Sequence, residues 1–397
     1  MIRKFLLSTA LCAGVSSAAL AQDGEVRIGV LFGFTGPIAS MAPAIAETAE
    51  LALREASKSD AFLNGRKIVP VRADSTCVNR NAAVAAAERL VKQENAVAFV
   101  GAGCSGAASA VLVNVARPHG ILSISPTATS PGLTDMEDGC LFFRTAPSDA
   151  RQGEVLAELL IEKNIRKIAL TYTDNDYGSG LTGSFTKAFE DRGGRVLISV
   201  AHMDGKVDYA AEVATLAASG ADVLMVAGYA DQGGRAIVHA SLDTGAFDRF
   251  VLPDGMVSES MIEEFGAALG QSIGTLPGSD NDRATSFEQI LEKNGITEEA
   301  PFRAESYDAA AVLTLAMQAA GTTDGKAVAE MIPHVANAPG IEIGPGEIAK
   351  GMFILSQGGA IDYVGASAVE LTPEGDAHGT YREVTFSEDG LETVRIW

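Results

Sequence analysis

Residues Ala96–Leu133, AVAFVGAGCSGAASAVLVNVARPHGILSISPTATSPGL, decide the fold. They read as a buried strand, a small-residue turn, a helix, a second buried strand and a hydroxyl-rich turn. Each turn follows the carboxyl end of a strand, where open parallel sheets place their ligand crevice. A helix beginning after the first turn directs free backbone N–H groups into that crevice, which suits a carboxylate or phosphate. Ser105, Thr127 and Thr129 add short hydroxyl donors. The stretch therefore predicts half of a site for a small anion or zwitterion.

Outward from this stretch, strand and helix patterns alternate. Val26–Phe32, Lys67–Asp74 and Ala96–Val100 read as strands, with helices at Met41–Ser57 and Asn81–Gln93. The alternation restarts at Leu141–Ala146 and continues through strands at Lys167–Thr173, Arg195–Ala201, Val223–Ala227 and Phe250–Pro253. Helices between them are expected at Arg151–Asn164, after the loop Asp174–Gly178, at Asp208–Ser219 and at Asp231–Asp243. This is the pattern of an α/β protein with doubly wound parallel sheets. After a loose GSDND segment come helical patterns at Ala284–Asn294 and Arg303–Ala320, then short strands MFILS, AIDYV, YREVTF and ETVRIW among Gly-rich turns. A chain that leaves one lobe, builds another and returns makes several crossovers, and these form a hinge.

Composition narrows the function. Arg3 and Lys4, an apolar run and Ala19-Leu20-Ala21 form a cleavable signal peptide over residues 1–21, so the chain is expected to be exported. No later run reaches membrane-spanning length. Without the leader, 28 Lys+Arg face 51 Asp+Glu, a balance of −23, which argues against nucleic acid and anionic membranes as partners. About 375 residues remain, enough for two lobes. Of the cysteines, Cys77, Cys104 and Cys140 survive cleavage; an oxidising compartment allows one disulfide, and sequence leaves three pairings open. There is no CxxC, and the five histidines are scattered, so neither a metal nor a cofactor is expected.

Several motifs compete. Gly101, Gly103 and Gly106 spell GxGxxG, but no acidic residue follows until Asp135, where a dinucleotide site needs one about twenty positions on. Ser105 lacks the flanking pattern of a nucleophile elbow. Asp174-Asn-Asp176 lacks calcium-loop spacing and reads as a capped helix start. Tyr177 and Tyr229 lie just past strand ends of the second lobe. Asp254 also follows a strand directly. A carboxylate there, facing the hydroxyls of the first lobe, makes the pair of contacts that a zwitterionic amino acid needs.

At this point the chain resembles the type I periplasmic substrate-binding proteins of ABC transporters, in the leucine/isoleucine/valine-binding branch. The resemblance rests on IGVLFGFTGP, the Cys104-Ser105 turn, ISPTATSPGLT, FFRTAPSD, YTDNDYGSG, Gly228-Tyr229 and GASAVELTPEGD. It implies two lobes joined by a three-strand hinge, lobe I from 24–146 plus 281–379 and lobe II from 147–280 plus 380–397. It implies that Ser105, Thr129 and backbone at Thr127 hold a carboxylate, that Asp254 takes an ammonium, and that Tyr177 and Tyr229 line the second wall. It also implies a Cys77–Cys104 disulfide, leaving Cys140 over. Met41 stands where leucine-binding relatives place a ring, so the side-chain preference stays open. The expected protein is a periplasmic, monomeric, non-enzymatic carrier that delivers an amino acid to a membrane permease. A ligand sensor of the same fold and an exported hydrolase using Ser105 or Cys104 are the alternatives.

Overall fold

The computed structural model describes residues 24–279, 281–387 and 390–397. The signal-peptide reading lies outside the described residues. Two sheets carry the molecule. The first is wholly parallel, in the order β2-β1-β3-β4-β5, built from β1 (Glu25–Phe32), β2 (Lys67–Asp74), β3 (Ala98–Gly101), β4 (Leu122–Ser125) and β5 (Phe142–Arg144). The inner strands β3 and β4 and the edge strand β5 are short and wholly buried, as expected where helices cover both faces. The helix Ala42–Lys58 packs on Arg303–Ala320, and Arg80–Lys92 packs on Ser105–Val111.

The second sheet continues the chain with β6 (Lys167–Thr173), β7 (Arg195–His202), β8 (Leu224–Ala227), β9 (Phe250–Leu252) and β10 (Ile273–Pro277). Two minor ladders follow, β11 (Ile341–Ile343) with β12 (Ile361–Tyr363) and β13 (Glu370–Leu371) with β14 (Ala377–His378). The last strands, β15 (Tyr381–Ser387) and β16 (Gly390–Ile396), join the second sheet antiparallel, giving the order β16-β15-β10-β9-β8-β6-β7. The chain passes between the sheets after β5, after β10 and after β14. In both sheets the strand order reverses early, between β1 and β3 and between β6 and β8. At such a switch point successive loops diverge to opposite faces and leave a crevice at the strands' carboxyl ends.

One sequence expectation fails. MFILS, read as a strand, lies in the helix Ile348–Ser356, because its Met352 shares a buried face with the two preceding residues Ile348 and Gly351 at helical spacing. The helix Gly325–Ala336 went unread; Asp324 caps it, accepting from Ala327 N–H at 3.0 Å. His119 ends the helical run that begins at Ser105, and that run contains a π-type segment at Leu112–Ala116. No helix among the described residues is long and apolar enough to cross a membrane.

Candidate functional site

The loops at the two switch points face each other across a small cavity. Its wall contains all seven residues singled out from sequence: Met41, Ser105, Thr127 and Thr129 from the first sheet's side, and Tyr177, Tyr229 and Asp254 from the second's. Sequence reasoning missed Ile38, Ile45 and Phe302, which complete an apolar end beside Met41. Ile45 lies four residues after Met41 along one helix, so a same-face reading of that helix could have found it. Phe302 comes from a distant segment and carried no local signal.

On the first side, β3 ends at Gly101, whose φ of +123° would put a Cβ 2.2 Å from the Leu31 carbonyl; only glycine fits. The turn then delivers Cys104 and Ser105 to the helix start. Cys104 is joined to Cys77 with Cα atoms 5.5 Å apart, which ties this turn to the segment after β2. Cys140 is free and exposed. Ser105 Oγ accepts from Ser130 N–H at 3.1 Å, so its hydroxyl proton remains to donate. Thr127 corrects the expectation of three equivalent hydroxyl donors: its hydroxyl donates to the Gly103 carbonyl at 2.5 Å and braces the turn. Thr129 is 1 % exposed and its carbonyl accepts from Asp149 N–H at 2.8 Å.

Arg144, fully buried on β5, holds this hydroxyl turn in place. Its guanidinium donates to both Asp376 carboxylate oxygens at 2.7 and 2.9 Å, to the carbonyls of Ala128 and Ser130, and to the Thr134 hydroxyl. All five guanidinium N–H groups are thereby used. Neither Arg144 nor Asp376 was singled out from sequence, although both lie inside the FFRTAPSD and TPEGD stretches.

On the second side, Asp254 is 1 % exposed. Its Oδ1 accepts from the Tyr177 hydroxyl and from Gly255 N–H, each at 2.7 Å, while its Oδ2 is buried without a partner. Burial pushes its pKa up to about 6 against these bonds and the lowering influence of the Gln152 side chain. A buried neighbour, Asp149, is raised well above the usual carboxylate range, first by burial and then by the charge of Asp254. The Tyr177 and Tyr229 rings stand 5.2 Å apart, tilted by 30°. A Cβ at Gly255 would lie 2.6 Å from the Gly228 carbonyl and 2.9 Å from the Tyr177 hydroxyl, so glycine is what lets this corner close. The two sides also touch at the rim: Asp231 accepts from Ser40 N–H at 2.8 Å, and Asp176 accepts from Arg80 at 2.5 Å and from Ser109 at 3.2 Å.

The arrangement can hold a group with donors at Oδ2 of Asp254 and acceptors at the Ser105 turn. No histidine lines the cavity. No group of three or more metal-ligating side chains occurs among the described residues.

Comparison with known proteins agrees with this architecture. The family described as periplasmic binding protein matches residues 25–346. The chain is 30% identical over 344 residues to a Leu/Ile/Val-binding protein homolog 3 of Brucella melitensis, covering 83% of this chain and 89% of the relative. It is 27% identical to a leucine-, isoleucine-, valine-, threonine-, and alanine-binding protein of Pseudomonas aeruginosa, covering 82% and 87%. Among solved structures, a branched-chain amino acid transporter substrate binding protein of Streptococcus pneumoniae in complex with isoleucine matches with a TM-score of 0.76 at 22% identity, over 94% of this chain and 99% of the other. The chain is thus a two-lobed binding protein rather than an enzyme, and it belongs to the periplasmic binding protein family.

Proposed function

We propose that this chain captures a small apolar α-amino acid between its lobes in the periplasm and presents it to the permease of an ABC transporter. One observation carries the ligand class: the partnerless, buried Oδ2 of Asp254 belongs to a cavity whose other wall holds a helix start and the Ser105 hydroxyl, which has its proton to donate. An ammonium supplies the missing donors at Asp254, and a charge-assisted bond there is roughly twice as strong as a neutral one. The ligand carboxylate sits on Ser105, Thr129 and the first-turn N–H groups of the helix beginning at Ser105, so no buried cation is needed. The side chain lies against Ile38, Met41, Ile45 and Phe302. The names of the Brucella and Pseudomonas relatives support aliphatic amino acids.

Capture proceeds by population shift: the ligand binds one wall first, and contact with Asp254 and the tyrosines stabilises the closed form. Export with loss of residues 1–21, the lobe limits 24–146 plus 281–379 and 147–280 plus 380–397, and action as a monomer belong to the same proposal. The test is a thermal-shift screen of the standard amino acids followed by calorimetry. Aliphatic amino acids should raise Tm by mass action, and their N-acetyl derivatives, which lack the ammonium, should not. Equal binding of N-acetyl-leucine and leucine would sink the zwitterion reading.

A further inference from the structure

Phe302 has a second side. Beyond it lies a larger groove that borders the connection after β10 and the start of β15, and this ring forms part of both walls. Two ionisable side chains in the groove lack a side-chain partner among the described residues. Glu305 is 3 % exposed, and the only hydrogen bond reaching its carboxylate comes from its own backbone N–H. Arg382 has a buried Nε with no acceptor and forms no ion pair among the described residues. Glu305 is nonetheless the foremost charge acting on Arg382. Both line this groove, and no ion pair or hydrogen bond joins them among the described residues.

A buried carboxylate and a buried guanidinium Nε without partners each cost stability unless something bonds them. Leu276, Phe287 and Phe302, all buried, add apolar lining to the same groove. Exposed Glu259 and Glu299 at the rim favour an approaching cation. We propose that this groove is a second ligand site, for a small molecule carrying a primary amine and a carboxylate on a short apolar chain. The amine sits on Glu305 and the carboxylate on Arg382. Because Glu259 belongs to the helix Glu259–Phe265 beside the second sheet, and Glu305 to the helix Arg303–Ala320 beside the first, the occupant touches both lobes.

Equilibrium dialysis of radiolabelled 4-aminobutyrate against the full chain tests this. One molecule should bind per chain, in the native protein and in Asp254→Ala alike. Glu305→Gln and Arg382→Gln should each weaken binding at least tenfold with melting curves intact. No uptake by the native chain, uptake abolished by Asp254→Ala, or affinity unchanged in both groove variants would each overturn the site. Should a groove variant fail to fold, isotope-labelled phenylalanine in the native chain decides instead. Nuclear Overhauser contacts from 4-aminobutyrate to the Phe287 ring support the site, and their absence rejects it.

Discussion

Asp254 shows what a single residue does in this protein. Its carboxylate is held by the Tyr177 hydroxyl and Gly255 N–H yet raised to about 6, because burial outweighs these bonds and the lowering influence of the Gln152 side chain. A protonated Asp254 has one fewer acceptor for an ammonium, so amino-acid affinity should fall as pH drops below about 6, and binding near that pH should release a proton. Calorimetry in buffers of different ionisation enthalpy measures that proton. The sign for stability is opposite. With a folded pKa raised by burial above the ordinary carboxylate range, Asp254 contributes stability that is fully present below about 4 and lost as pH rises through about 6. The ligand-free Tm should therefore decline over this window, and less steeply in Asp254→Asn; an unchanged slope would contradict it. Asp254→Ala should weaken amino-acid binding by about 100-fold or more, the cost of a lost charge-assisted bond. Its position was legible because a carboxylate directly after a strand end is a local signal. Its missing partner was not, since that depends on what surrounds it.

Elements decide how firmly the walls are held. The hydroxyl turn after β4 depends on Arg144 of β5 and on Asp376, which lies 232 residues away in sequence. Asp376→Ala leaves a buried guanidinium short of its anion and should cost about 3–5 kcal/mol, read from denaturant midpoints, with amino-acid binding lost in parallel. The rim bond between Arg80 and Asp176 is different. Its side chains are 60% and 32% exposed, so it contributes at most about 1 kcal/mol. Asp176→Asn should therefore weaken binding only about fivefold, mainly by faster release, leaving the melting temperature of the ligand-free form unchanged. A stopped-flow release rate equal to that of the native chain would show that the rim does not hold the closed form. Gly106 sits beside this bond, its Cβ position 3.7 Å from the Asp176 carboxylate. The GxGxxG spelling thus arises from separate local needs, a positive φ at Gly101 and close approach to Phe32 at Gly103, while a Cβ at Gly106 would meet only ordinary contacts.

For the molecule as a whole, the Cys77–Cys104 bond closes a loop between β2 and β3, with 27 residues separating the cysteines. Loop entropy assigns such a closure about 3–4 kcal/mol. Reduction, or Cys77→Ser, should lower Tm by several degrees and also loosen the Ser105 turn, so ligand affinity should fall with it; loss of stability without loss of affinity would separate the two roles. The alternation of strands and helices, the carboxyl-end turns, the hydroxyls and Asp254 were readable in the chain, because each depends on residues within a few positions of one another. So were the cap at Asn175 and most strand limits of both sheets. MFILS misled because its apolar run fits either period, and the buried neighbours that made it helical preceded it. Phe302, the Arg144–Asp376 brace, the unpaired Oδ2 of Asp254 and the Glu305–Arg382 groove follow from segments brought together across more than a hundred residues or from burial itself. Sequence by itself determined which chemistry stands at each strand end. Only the tertiary structure decided which groups meet and which are left without a partner, because burial and hydrogen-bond satisfaction are properties of the packed whole.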